Sequence, residues 1–194
     1  MGFWDALMGR SKPPQADLDA LFALPSAALT LEAAATIKPT GVGAVCYRQS
    51  EGAAFSTMQS DVSELLDADG GPKVERTVDP YGFTWLVVQH DPEDVGGLVT
   101  DLHAVNSTLV DNGFGPHLLC SVVDFATAEG RPLGLVYLYK RGTFYPFAPA
   151  GEPRRDNGLE LQVRGIVADE LPIEKDLSRW LAIWGAPGLE RGTR

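Results

Sequence analysis

Two apolar runs, Leu118 to Phe125 and Leu133 to Lys140, flank the turn Ala128-Glu129-Gly130-Arg131. A short Gly-containing connection between two β-rich runs is the signature of an antiparallel hairpin, so the middle of the chain is committed to a sheet. Gly142 then bends the chain into Phe144-Tyr145-Pro146-Phe147. Pro146 has no N–H for a ladder, which makes this an edge strand or an extended segment. Upstream, Pro39-Thr40-Gly41 reads as a turn and Val42 to Arg48 as a strand. Lys73 to Val78 and Gly82 to His90 follow as two more strands. In the second, Phe83, Trp85 and Val87 alternate with Thr84, Leu86 and Val88, so both faces are apolar.

The helical signals fall between and around these strands. Pro92 to Asn112 is the best defined: Asp91 caps it, Pro92 occupies its first turn, and Glu93 and Asp94 face the positive end of its dipole. Val95, Leu98, Val99, Leu102, Val105, Leu109 and Val110 form its apolar face. Gly96 and Gly97 weaken its first turns and leave room for close approach to the sheet. Asn112-Gly113 ends it through a left-handed residue. Asp17 to Phe22 is a short helix, and Pro25 either breaks it or opens the next, Ser26 to Ala35. Ser56 and Gln59 form a capping box for a helix carrying Met58, Val62, Leu65 and Leu66. Leu159 to Glu170 reads as a helix and Ser178 to Trp184 as a short apolar element. Helices and antiparallel strands come in runs, without βαβ alternation. The expected class is therefore α+β, a twisted antiparallel sheet packed against helices.

Ser11-Lys12-Pro13-Pro14-Gln15 is a hinge, since its prolines exclude helix. It separates an N-terminal segment, 1–14, from a single domain, 15–189, followed by a disordered tail, 190–194. Phe3, Trp4, Leu7 and Met8 recur at helical spacing in the first segment. A helix that short is unstable alone in water, so it is expected to dock on its own chain or on a second copy, with at most transient membrane contact. No apolar run approaches the roughly 18 residues of a spanning helix.

With 194 residues, 44% hydrophobic and 22% charged, the chain supports a full core without disulfides or metal. Its net charge of −10 repels phosphate backbones and argues against nucleic-acid binding. From Glu51 to Glu129 fourteen acids stand against Lys73 and Arg76, whereas from Arg131 to Gly165 six bases outnumber three acids. Whether these segregate in space or pair with each other depends on the fold. Cys46 and Cys120 lie inside apolar runs and read as buried thiols in a reducing compartment, the cytoplasm.

No catalytic constellation emerges. Gly41-Val42-Gly43 lacks the third glycine of a dinucleotide loop and a strand before it. No glycine-rich segment ends in Lys-Ser or Lys-Thr, and no serine stands in a nucleophile elbow. His90, His103 and His117 are isolated from one another and from the cysteines, so neither metal nor cofactor is expected. Asp101 and His103, two apart, point to different sides of a helix. What does stand out is the run from Tyr137 to Phe147, with five aromatics among two bases. Such residues dominate interface hot spots, and they are equally ordinary strand residues. The candidate partner surface is Tyr139, Lys140, Arg141, Phe144 and Tyr145, with Arg154 and Arg155 extending it or merely preceding the next helix.

Several blocks carry a family resemblance: Met1-Gly2-Phe3-Trp4-Asp5-Ala6-Leu7, Leu18-Asp19-Ala20-Leu21-Phe22-Ala23-Leu24-Pro25, Leu98-Val99-Thr100-Asp101-Leu102-His103, Tyr137-Leu138-Tyr139-Lys140-Arg141-Gly142-Thr143-Phe144-Tyr145-Pro146-Phe147 and Trp184-Gly185-Ala186-Pro187-Gly188-Leu189. Their order and content resemble the actinobacterial PspA-associated PspAB family. The resemblance implies a link to the phage-shock envelope-stress system, whose central member is a coiled-coil membrane-binding protein, and implies no enzymatic activity. It points to a cytoplasmic adaptor that binds a PspA-like or other envelope-stress protein, with a second copy of the chain as a further partner to test. The element order also resembles, as fold analogy alone, the type III secretion chaperone-like arrangement. The rival expectation is a small-molecule-binding domain or enzyme whose site is assembled in the fold, gathering His117, Arg155 or Asp101 in a pocket.

Overall fold

The computed structural model describes residues 16–48, 64 and 74–189. The N-terminal segment with Phe3, Trp4, Leu7 and Met8, its proline hinge, the helix expected from Ser56 and the tail 190–194 lie outside the described residues. Six strands form one sheet: β1 (Lys38–Arg48), β2 (Glu75–Val78), β3 (Phe83–Gln89), β4 (Leu118–Ala126), β5 (Pro132–Leu138) and β6 (Thr143–Phe147). Their order is β2-β3-β1-β4-β5-β6, and every neighbouring pair is antiparallel. With helices beside this sheet, the class is α+β. β4 and β5 form the expected hairpin, closed through Gly130 at φ +73°.

The expected turn at Pro39-Thr40-Gly41 is instead part of β1, which starts at Lys38. The pairing with β4 shifts register between Pro39 and Gly43, so the breaker residues are absorbed as an irregularity within a strand. Gly41 adopts φ +82°, and its carbonyl accepts from the His90 N–H at 2.8 Å. A Cβ there would lie 2.2 Å from the His90 carbonyl oxygen, so only glycine fits.

One face of the sheet is covered by helices. A 3₁₀ turn (Leu18–Ala23) runs directly into α1 (Leu24–Ala35), with Pro25 in the first turn of α1, where it starts the helix and does not break it. The continuous stretch Leu18–Ala35 is thereby long and apolar enough, by length and composition, to cross a membrane, with mean hydropathy 1.4. That corrects the expectation that no run approaches this length. Leu21, Leu24, Ala27, Ala28 and Leu31 of this stretch are buried in the protein core. α2 (Val95–Asp111) starts three residues later than expected: Asp94, not Asp91, is its cap, accepting from the Gly97 N–H at 2.9 Å. Asp91 accepts from Glu93 N–H in the preceding turn. α3 (Asn157–Val167) is capped by Asp156 through the Leu159 N–H.

The close approach between α2 and the sheet is set by Gly43 of β1 and not by Gly96 or Gly97. A Cβ on Gly43 would lie 2.9 Å from Leu102 Cδ1 and 3.1 Å from Leu98 Cδ1. Gly43→Val overfills this contact and is expected to lower stability by about 1–3 kcal/mol. Urea denaturation of variant and parent checks this; an unchanged midpoint would show that α2 moves away freely.

Among the described residues no helix covers the opposite face. Ala44, Cys46, Trp85, Val87, Cys120, Val122, Val136, Tyr145 and Phe147 form an apolar layer there, and the C-terminal segment places Trp180, Ala186 and Leu189 over it. This segment first runs beside β6. Phe144 N–H donates to Pro172 O and Glu174 N–H donates to Phe144 O, each at 2.8 Å. The edge expected to be open is therefore partly paired, and Pro146 remains tolerated within β6. A 3₁₀ turn, Leu177–Arg179, then leads the strap across the face. Gly185 and Gly188 turn it at positive φ.

Candidate functional site

The strap does not seal the face. Between it and the turn after β2 lies a cavity of about 480 Å³ lined chiefly by apolar side chains. Cys46, Phe83, Trp85, Cys120 and Tyr145 line it from the sheet, Tyr81 lines it from the turn, and Ile183 and Trp184 line it from the strap. Arg48 also lines it, exposed at the end of β1.

The turn Asp79-Pro80-Tyr81-Gly82 owes its shape to its first residue. Gly82 takes φ +83° and its N–H donates to Asp79 O at 3.0 Å. The Asp79 carboxylate, 8% exposed, accepts from Tyr81 and Phe83 N–H at 2.9 Å and from Trp85 Nε1–H at 3.0 Å. Three donors thus meet the demands of this carboxylate, which locks Trp85 into the cavity wall.

A second, shallower hollow of about 280 Å³ adjoins the first through their shared residues Leu119, Leu138 and Leu181. Lys140, Arg141 and Arg179 stand on its lining beside Leu118 and Ser178. Leu177 and Leu181 nearby are 53% and 62% exposed. Arg141 Nε donates to Glu174 at 2.6 Å and Arg179 pairs with Asp176 at 3.1 Å. Burial pushes the Glu174 carboxyl up, but the Asp176 N–H, Arg141 and Thr143 outweigh that and hold it below the usual carboxylate range. The two hollows together form an apolar groove whose lining carries Arg48, Lys140, Arg141 and Arg179 against Asp79. Glu174 and Asp176 offset Arg141 and Arg179, so the excess positive charge along the lining is small.

The expected partner surface is divided by the fold. Lys140 is exposed and Arg141 is half-buried, and both line the shallower hollow. Phe144 and Tyr145 are 0% and 1% exposed, so neither presents a surface, which corrects the sequence reading. The cause is the pairing along β6: Phe144 packs on Tyr137 in the helix-side core, while Trp180 stacks on Tyr145 at 6.1 Å. Tyr145 donates to Leu181 O at 2.9 Å, and burial raises its hydroxyl pKa well above the ordinary value. Tyr139 is half-buried against the helix-side core. Arg155 is an internal strut: it binds Glu160 at 2.9 Å, donates to Trp180 O, and lies 5.0 Å over the Phe147 ring. Arg154 is exposed in the loop before α3, away from the groove lining.

His117, Arg155 and Asp101 are not gathered in either hollow. Asp101 instead meets His90 Nε2 at 2.7 Å, while Asp94 meets His90 Nδ1 at 3.1 Å. His103 lies 3.4 Å from both Asp19 and Ser107. Among the described residues no group of three or more His, Cys, Asp or Glu side chains is placed to hold a metal. The residues that sequence reasoning missed are Asp79, Leu177, Leu181, Ile183 and Trp184. Asp79 had a legible signal, an Asp opening a Pro-Tyr-Gly turn; the strap residues had none, because nothing local tells an irregular segment which face to cover.

The family model described as PspAB, PspA associated protein B, matches residues 1–188. No curated protein and no solved structure matches the chain.

Proposed function

The chain belongs to the PspA associated protein B family, and from that premise we propose that it is a non-enzymatic, cytoplasmic adaptor of the envelope-stress response, acting by binding a PspA-like protein. The observation that carries this reading is the family match, which runs over nearly the whole chain. The groove supplies a surface of fitting chemistry. An apolar trough rimmed by Arg48, Lys140, Arg141 and Arg179 suits a partner helix with one apolar face and acidic flanks. Leu177 and Leu181, exposed beside it, are the side chains such a helix would cover.

The test is binding of the purified full chain to a PspA-like protein from the same cell, measured by titration calorimetry. The double variant Leu181→Asp, Lys140→Glu is expected to weaken binding at least about tenfold, the effect of losing a hot spot. Arg164→Glu, on the exposed side of α3, serves as the control and leaves affinity unchanged. Absence of binding by the parent chain would sink the PspA link; binding that survives the double variant would move the surface elsewhere. A second reading, a small apolar ligand in the larger cavity, is favoured by its volume of about 480 Å³, which is that of an ordinary ligand pocket. Stabilisation of the parent chain by such ligands, without any partner, would bring it forward.

A further inference from the structure

Cys46 and Cys120 are 74 residues apart in sequence, yet they stand directly opposite each other at the centre of the sheet, on neighbouring antiparallel strands β1 and β4. Both side chains point to the strap-covered face and both line the larger cavity. Directly opposed residues of an antiparallel pair have Cα atoms about 4.5–5.5 Å apart, inside the roughly 4.4–6.8 Å that a disulfide spans. Both thiols are free. The neighbouring Cys120 thiol and burial raise the Cys46 pKa, so little thiolate forms near neutral pH and oxidation is expected to speed up as pH rises. The side chains are almost fully buried, at 3% and 6% exposure, so a protein thiol or a bulky disulfide cannot reach them, while the cavity admits a small oxidant.

The geometry points to Cys46 and Cys120 as an oxidisable dithiol, converted to a cross-strand disulfide by a small hydroperoxide entering through the cavity. One thiolate attacks the peroxide: an S–O bond forms, the O–O bond breaks, and the alkoxide or hydroxide takes up a proton. The second sulfur attacks the resulting sulfenic acid, forming S–S and expelling hydroxide, which leaves as water with the second thiol's proton. In sum, two thiols lose two electrons and two protons, and the hydroperoxide becomes an alcohol, or water, plus one water. The sulfenic acid has no need to wait for an outside thiol, because its partner stands directly opposite it on the neighbouring strand. The cross-link ties β1 to β4 and closes a loop containing β2, β3 and α2. A long loop closed in the denatured chain raises the temperature at which the fold melts. This inference is independent of the partner reading, since it needs only the chain itself.

The experiment treats the reduced full chain with hydrogen peroxide and counts free thiols by alkylation after denaturation, with intact mass measured before and after dithiothreitol. The expected result is loss of both thiols with the mass falling by two hydrogens, no covalent dimer, full return on reduction, and a thermal midpoint several degrees higher in the oxidised form. Cys46→Ser and Cys120→Ser, each monitored for folding by circular dichroism, are expected to lose the remaining thiol to sulfinic acid with no internal cross-link. Cys46→Ala provides the same comparison should serine be poorly tolerated in the layer. Three outcomes overturn the inference: both thiols persisting in the parent chain, conversion to sulfinic acids without a disulfide, or a disulfide formed between chains.

Discussion

Replacement of Trp85 by Ala is expected to destabilise the fold by about 3–5 kcal/mol, the range for truncating a buried tryptophan. Trp85 is 2% exposed and is flanked in the sheet by Cys46 of β1 and Thr77 of β2. Its ring lines the larger cavity, and its Nε1–H is one of three donors to the buried Asp79 carboxylate. Truncation therefore enlarges a hollow that is already present and leaves Asp79 short of a donor. Trp85→Phe separates the two effects. It keeps most of the apolar area but orphans one carboxylate oxygen, for which about 1–3 kcal/mol is expected. Guanidinium denaturation followed by circular dichroism measures both. A loss below about 1 kcal/mol for Trp85→Ala would mean that the strap face is loosely packed, and that the cavity is not a shaped site.

That face explains where sequence reasoning stopped. The β4–β5 hairpin and the helix α2 were legible because their signals are local: a short Gly-containing turn between β-rich runs, and seven apolar residues at helical spacing. The neighbours of β1 were not, since it pairs with β3 and β4 across long stretches of chain and no periodicity encodes a partner. The juxtaposition of Cys46 with Cys120 follows from that pairing alone. Pro39-Thr40-Gly41 has the composition of a turn, and only the pairing of the Gly41 carbonyl with the His90 N–H and the register shift against β4 show it to be a strand irregularity. For the candidate site, Lys140 and Arg141 were reached from the aromatic and basic run. Phe144 and Tyr145 in the same run were misread as surface because the segment that buries them lies about thirty residues downstream and carries no strand pattern.

Asp124 supplies the remaining large effect, in the dependence of stability on pH. It lies in β4, 1% exposed, and neither carboxyl oxygen has a hydrogen-bond partner among the described residues. Gly188 of the strap lies so close over it that a Cβ at that position would sit 1.8 Å from Asp124 Oδ2. Burial raises the Asp124 pKa well above the ordinary carboxylate value, with no cation among the described residues to oppose the shift. The folded chain therefore keeps a proton that the unfolded chain releases above pH about 4. With more protons bound in the folded state, this group's contribution is most favourable below that pH. It weakens as pH rises, by about 1.4 kcal/mol per unit where the difference is a full proton, until the folded carboxyl itself ionises. Asp124→Asn cannot ionise. The difference in stability between variant and parent is expected to grow in the variant's favour from pH 5 to pH 7 at about that slope, because the other carboxylates cancel in the comparison. Urea titrations of both chains at half-unit steps measure it. A difference that stays flat with pH would mean that the strap lifts and lets Asp124 ionise in water within the folded state. Loosening of Leu189 and Gly188 in hydrogen exchange above neutral pH would be the accompanying sign.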